Sequence, residues 1–136
     1  MGKIGRVTLA VIAGASVWAV LWNAGTLGGQ AALPGILPAG EPITNVGALL
    51  GLIAYSVVLS MLAGYTTVAA AGRYPRPALK ILAALQMLLG LIFEISFWST
   101  TPVWYHIVFL ALVIPATLYG GNLRAAGQHA PRVAMR

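Results

Sequence analysis

Two apolar runs between Leu79 and Gly120 leave this chain very few possible folds. The first reads LKILAALQMLLGLIFEISFW and the second PVWYHIVFLALVIPATLYG, with only Ser99, Thr100 and Thr101 between them. Each run approaches the ~20 residues that a helix needs to cross a ~30 Å hydrocarbon core. Because the connection is so short, the two runs are predicted to form an antiparallel pair of membrane-spanning helices.

The composition places the whole chain in a lipid bilayer. Of its 136 residues, 60% are hydrophobic and 7% are charged, and the mean hydropathy is +0.89. A soluble domain usually carries about 25% charged residues. We therefore predict a single membrane domain over residues 1–136. The chain has no cysteine, which excludes disulfides and thiolate metal sites.

Four membrane spans account for the hydrophobic pattern. They are predicted at about 7–24, 43–71, 78–98 and 102–120, followed by a loosely ordered polar tail over 121–136. Residues 25–41 contain several glycines and prolines, so we expect a loop there rather than a longer first helix. Gly120 and Gly121 are expected to end the fourth helix. The predicted fold class is all-α: a four-transmembrane-helix bundle that runs up-down-up-down.

The N-terminal segment, MGKIGR followed by an apolar run, resembles a secretory signal at first sight. However, Trp18 and Trp22 stand where a cleaved signal has small residues. We therefore expect the first helix to be retained as a membrane span.

The basic residues predict how the chain is oriented. All eight fall on one side of the four-span arrangement: Lys3, Arg6, Arg73, Arg76, Lys80, Arg124, Arg132 and Arg136. Cytoplasmic loops carry the excess of Lys and Arg, so both termini are predicted to be cytoplasmic, in a bacterial inner membrane. Because these residues flank apolar runs, the net charge of +6 does not indicate nucleic-acid binding.

Small residues recur along the second span at helical spacing, which favours close approach of helices in lipid. The predicted packing positions are Gly47, Gly51, Ser56, Ser60 and Gly64, with Gly90 on the third span. The second span is thus predicted to be the packing helix of the bundle.

Glu94 and His106 are the chain's single acid and single imidazole within the predicted spans. An acid in hydrocarbon usually faces the bundle interior and marks a functional site. Glu94 precedes Trp98 by four residues, and His106 follows Pro102 by four. Both therefore lie roughly 6 Å inside the same interface at 1.5 Å per residue, and a hydrogen bond between them is expected.

Further polar residues are candidates for the same site: Asn23, Asn45, Tyr105 and Gln86. Two interpretations stay open. Glu94 and His106 form either a structural clasp between helices, which we favour, or a ligand or proton site. One His and one Glu are too few for a metal site. No cofactor is identified. A haem or pigment is supported only by His106 as a single axial ligand, and a quinone only by the aromatic residues.

The sequence contains no catalytic motif, and Glu41, the other acid, has no carboxylate neighbour in its loop. The favoured function is therefore non-enzymatic: an accessory or scaffold subunit that packs against other membrane subunits or against itself. The alternative is a small-molecule or proton-coupled transporter or ligand-binding protein that uses Glu94 and His106. A weaker alternative is a membrane enzyme acting on a lipid or isoprenoid.

The segments GRVTLAVIAGASVWAVLW and TPVWYHIVFLALVIPATLYGGNLR resemble a functionally uncharacterised family of small four-helix bacterial inner-membrane proteins. The resemblance covers most of the chain. It implies a four-helix bundle in the inner membrane, and it implies neither a reaction nor a set of functional residues.

Overall fold

Four long helices make up the structure, a computed structural model that describes residues 1–129. They are α1 (Lys3–Ala32), α2 (Val46–Ala71), α3 (Pro75–Ser96) and α4 (Val103–His129). Each is long and apolar enough to cross a membrane. The predicted all-α four-helix bundle is confirmed, and the chain is a multi-pass integral membrane protein.

The helices are hydrophobic on their outer faces as well as inside the bundle. On α2, Leu49 and Leu59 are buried, whereas Leu50 and Val58 are more than half exposed, at 55% and 53%. A helix that is apolar all round suits a lipid environment rather than water. The outward-facing side chains therefore form the surface that contacts lipid.

The helices alternate in direction, and α2 and α3 form the central pair. Each of these two packs against the other and against both α1 and α4. Arg6 of α1 lies against Gly72 after α2, and Leu79 of α3 lies against Gly121 of α4. The start of α1, the α2–α3 turn and the C-terminal part of α4 therefore meet at one end, which we call the basic end. The opposite end, with residues 33–45 and 97–102, is the outer end.

Local residue chemistry sets where the helices begin and end. Asn45 caps α2, because its side-chain oxygen accepts a hydrogen bond of 2.9 Å from the Ala48 amide. Gly72 ends α2 with φ of 59°, a conformation that glycine adopts without strain. Pro75 occupies the first turn of α3, where its missing N–H costs nothing.

Glycines allow the closest approach between helices. A Cβ at Gly64 would collide with the Thr117 carbonyl oxygen, and one at Gly120 would collide with the Met61 backbone. Backbone atoms of α2 and α4 therefore touch, which maximises dispersion contact in lipid. Ser56 and Ser60 are buried in the same bundle interior, and Gly90 is in ordinary contact with Phe109 and Leu110 of α4.

The packing role predicted for Gly47 and Gly51 is wrong within the single chain. Both are exposed, and a Cβ on Gly51 would have no neighbour within 4 Å among residues 1–129. Near Gly47, the sole such atom is the capping oxygen of Asn45. Because α2 is apolar on every face, the spacing of its small residues does not reveal which way the helix is rotated.

The predicted loop after residue 24 is also wrong in its first part, because α1 continues to Ala32. Gly25 supports this continuation: the Tyr55 ring of α2 packs directly over it, where a Cβ would collide. The Tyr55 hydroxyl also donates a hydrogen bond to the Leu21 carbonyl oxygen of α1. Contact with a neighbouring helix thus outweighs the low helix propensity of glycine.

Gly120 and Gly121 do not end α4, contrary to prediction, and the helix reaches His129. Both glycines are buried where α4 meets its neighbours, Gly120 against Met61 and Gly121 against Leu79. Residues 121–129 of the predicted tail are therefore helical. Residues 130–136 lie outside the described part of the chain.

We predict that Gly64→Ala destabilises the bundle relative to Gly51→Ala on the same helix. Both substitutions raise helix propensity by the same amount, but only the methyl group at position 64 meets backbone atoms of α4. The difference should be about 1–3 kcal/mol, the usual cost of overpacking. Thermal unfolding in detergent, followed by circular dichroism, measures it. Equal stabilities would show that α2 and α4 do not touch at Gly64.

We also predict that the two ends of the bundle lie on opposite sides of the membrane, with the basic end in the cytoplasm. The absence of native cysteine allows single-cysteine labelling without background. An impermeant maleimide applied to intact cells should label Ser99→Cys, and it should label Arg73→Cys only after permeabilisation. The reverse pattern would refute the orientation, and labelling of both variants in intact cells would refute the four crossings.

Candidate functional site

A buried carboxyl–imidazole pair lies at the outer end of the bundle. Glu94 is near the end of α3, and His106 is in the first turns of α4. Imidazole Nδ1 is hydrogen-bonded to Glu94 Oε2, and both side chains are about 1% exposed. The predicted contact is present. It forms because the short α3–α4 connection brings both residues to one depth.

The connection between α3 and α4 also holds the other side of the His106 ring. Nε2 lies 3.0 Å from Thr101 Oγ1 and 3.4 Å from the Trp98 carbonyl oxygen. The Trp98 ring stacks on the imidazole, with a centroid distance of 4.4 Å and an interplanar angle of 7°. When Nδ1–H donates to Glu94, Nε2 accepts from the Thr101 hydroxyl, so both ring nitrogens have protein partners.

Sequence reasoning missed Trp98 and Thr101 as partners of His106. From the sequence, Trp98 is interpreted as a membrane-interface residue, and Thr101 as part of the polar connection between the third and fourth spans. The signal was available in part: Trp98 follows Glu94 by four residues, and side chains four apart share one face of a helix.

A cavity of about 340 Å³ opens beside Glu94. It lies between α1, α3 and the start of α4, and residues of the segment 33–45 cover it. Aromatic residues supply much of its wall: Trp22, Phe93, Phe97 and Tyr105. Glu94 Oε1 is buried and has no hydrogen-bond partner among residues 1–129. Leaving a buried polar atom unpaired costs about 1–3 kcal/mol, so this oxygen is suited to binding a further group.

Trp22 is the centre of an aromatic cluster that forms one side of the cavity. Its ring lies 6.0 Å from that of Tyr55, 5.8 Å from Phe93 and 5.6 Å from Phe109, measured between centroids. Trp18, one turn earlier on α1, stacks on the Trp22 ring with a centroid distance of 6.2 Å. These contacts join all four helices behind the part of the cavity wall that Trp22 and Phe93 form.

Two of the other predicted site residues lie at the cavity. Asn23 lines it, and its amide nitrogen donates to the Ala19 carbonyl oxygen at 2.8 Å. Tyr105 also lines it, is 3% exposed, and meets the His106 ring edge-on at 6.1 Å.

The other two predicted residues, Asn45 and Gln86, do not join this site. Asn45 has a suitable depth, but its side chain is engaged as the α2 cap. Gln86 lies two turns deeper, where its Oε1 accepts a hydrogen bond from the Thr117 hydroxyl at 2.5 Å. It therefore ties α3 to α4 in the bundle interior.

Charge is distributed unevenly between the two ends. Glu41, the second acid of the chain, reaches the same cavity from the covering segment. The chain has two Asp and Glu residues in all, so both of its carboxyl side chains line this cavity. Within residues 1–129, no Lys or Arg does so. Sequence reasoning missed this pairing, because Glu41 and Glu94 are far apart along the chain.

The site does not resemble a metal or haem centre. Residues 1–129 contain no group of three or more His, Cys, Asp or Glu that would hold a metal ion. Both nitrogens of His106 are engaged, and Trp98 covers one face of its ring. Axial ligation of a haem or pigment would require these contacts to break.

Comparison of the chain with protein-family models, with curated proteins and with solved structures gives no significant match. The resemblance to an uncharacterised inner-membrane family therefore stays a prediction. Its architectural part, a four-helix protein with four candidate membrane spans, agrees with the structure.

We predict that Glu94→Gln and His106→Ala each destabilise the bundle by about 1–3 kcal/mol, because each leaves a buried polar partner incompletely bonded. Since the two side chains share one interaction, the double variant should lose less than the sum of the two single losses. Reversible unfolding in mixed micelles measures all three values. Ser96→Ala is the control, because its exposed hydroxyl bonds only within α3. Additive losses would show that the two residues are not coupled.

Proposed function

We propose that this chain is a small integral membrane protein that binds a small molecule in the cavity beside Glu94. The observation that carries this proposal is an aromatic-walled space of about 340 Å³ that is lined by Glu94, a buried acid whose Oε1 has no hydrogen-bond partner among residues 1–129. Ligand sites are concave, mostly apolar and about 300–1,000 Å³ in volume, with a few polar groups that orient the ligand.

The clasp and the ligand site are compatible, because they use different oxygens of one carboxyl group. Oε2 bonds His106 and so fixes the position of the side chain. Oε1 remains for the ligand.

Binding fits the bundle better than transport through it. Between the cavity and the basic end, the core is filled by side chains that are at most 1% exposed, including Phe109, Leu82 and Val113. Transport would require these helices to separate. With the basic end in the cytoplasm, the cavity lies toward the periplasmic side of the inner membrane.

A second candidate function, an enzyme acting on an ester lipid, is favoured by one specific observation. Thr101, His106 and Glu94 form a hydroxyl–imidazole–carboxyl chain, the order found in hydrolase triads. In such a reaction Thr101 Oγ would bond the acyl carbon as the ester C–O bond breaks. Its proton would pass through His106 to the leaving alcohol. The accessory-subunit role predicted from the sequence has no comparable observation and stays a prediction.

Native mass spectrometry of protein purified from its own membranes tests the proposal. We predict that the wild-type chain carries one non-covalent small molecule and that Thr26→Trp does not. Thr26 lines the cavity, and an indole at this position would fill it. Val20→Trp is the matched control, because Val20 lies on the same helix and is 65% exposed.

The other outcomes contradict the proposal in different ways. A mass increase that survives denaturation and maps to Thr101 would favour the enzyme. A second polypeptide in place of a small molecule would favour the accessory subunit. A wild-type chain with no adduct would refute binding outright.

A further inference from the structure

We propose that the cavity binds an organic cation: a protonated amine attached to an aromatic or aliphatic body. This inference deepens the proposed function and rests on it. It follows from three properties of the cavity wall, namely its charge, its hydrogen-bonding character and its aromatic faces.

The charge-bearing residues that line the wall are acidic. Glu41 and Glu94 both line the cavity, whereas within residues 1–129 no Lys or Arg does. His106 is the titratable neighbour of Glu94; it bonds Oε2 and is not among the lining residues. Tyr105 is the other titratable group at the wall. A charged ligand that enters here meets two acidic residues and, within residues 1–129, no Lys or Arg, which disfavours an anion such as a phosphate.

Several polar groups of the wall are available as hydrogen-bond acceptors. The Thr26 hydroxyl donates its proton to the Trp22 carbonyl oxygen at 2.8 Å, and the Thr100 hydroxyl donates to the Phe97 carbonyl oxygen at 2.8 Å. Their lone pairs remain free, as does Oε1 of Glu94. An ammonium group, which is a donor without acceptor capacity, can bond these acceptors.

Aromatic rings complete the match. Trp22, Phe93, Phe97 and Tyr105 surround the space near the Glu94 carboxyl group. The faces of such rings attract cations and also pack well against flat organic groups. The volume of about 340 Å³ equals that of roughly eleven water molecules at ~30 Å³ each, which is enough for one two-ring amine.

Three probes that share one ring system test the inference: tryptamine (a cation), tryptophol (its neutral analogue) and indole-3-acetate (an anion). Calorimetric titration uses the full chain in nanodiscs of zwitterionic lipid, with empty nanodiscs as the blank. Tryptamine should bind at least about tenfold more tightly than tryptophol, since a hydrogen bond to a charged partner exceeds a neutral one by this much. Indole-3-acetate should bind more weakly than both.

Two variants locate the interaction. Glu94→Gln keeps the side-chain size and should weaken tryptamine at least about tenfold, and it should weaken the neutral tryptophol less. Glu41→Gln should weaken tryptamine by about twofold to fivefold, as expected of an exposed charge pair. Glu41 is exposed in the covering segment, so this variant keeps the test valid even if Glu94→Gln unfolds.

The outcomes separate this inference from the function on which it rests. If tryptophol or indole-3-acetate binds as tightly as tryptamine, and Thr26→Trp abolishes that binding, the cavity is a ligand site but not a cation site. Tryptamine binding that neither glutamine variant weakens would also overturn the cation inference. If Thr26→Trp leaves the binding of every probe unchanged, the cavity is not the site, and both proposals fail.

Discussion

The hydrogen bond between Glu94 and His106 organises the outer end of this bundle. In a hydrocarbon surrounding, a polar side chain has no water to bond and must find partners within the protein. Here the bond joins α3 to α4 and places the imidazole under the Trp98 ring. The second carboxyl oxygen has no hydrogen-bond partner among residues 1–129, and Glu94 lines the aromatic-walled cavity. The same contact therefore holds the helices together and presents the group that we propose binds a ligand.

The features that the sequence predicted correctly depend on distance along the chain. Four apolar runs and their short connections determine the number and alternation of the helices. The equal depth of Glu94 and His106 follows from 1.5 Å per residue and a short turn. By contrast, the end of α1 and the inner face of α2 depend on which neighbour a helix meets. Tyr55 over Gly25 is such a contact, and no local pattern signals it.

The cavity was beyond sequence reasoning for the same reason. Its cover is the segment 33–45, which folds back over the ends of the helices and brings Glu41 to the wall that contains Glu94. In the sequence, the glycines and prolines of this segment indicate only that it is irregular. Its path is set by contacts such as the hydrogen bond of 2.9 Å from the Ile43 amide to the Thr100 carbonyl oxygen. The two acids line one cavity because the connection that carries Glu41 is held against the connection that follows α3.

The separation of charge has two consequences that support each other. Basic residues at one end orient a membrane protein, because cationic segments stay in the cytoplasm. Collecting them there also leaves the outer end without a Lys or Arg to pair with Glu41 or Glu94, as far as residues 1–129 show. Acidic residues without a Lys or Arg partner favour a cationic ligand. The arrangement that we predict to orient the chain is therefore also the one that favours the cationic ligand that we propose for its cavity.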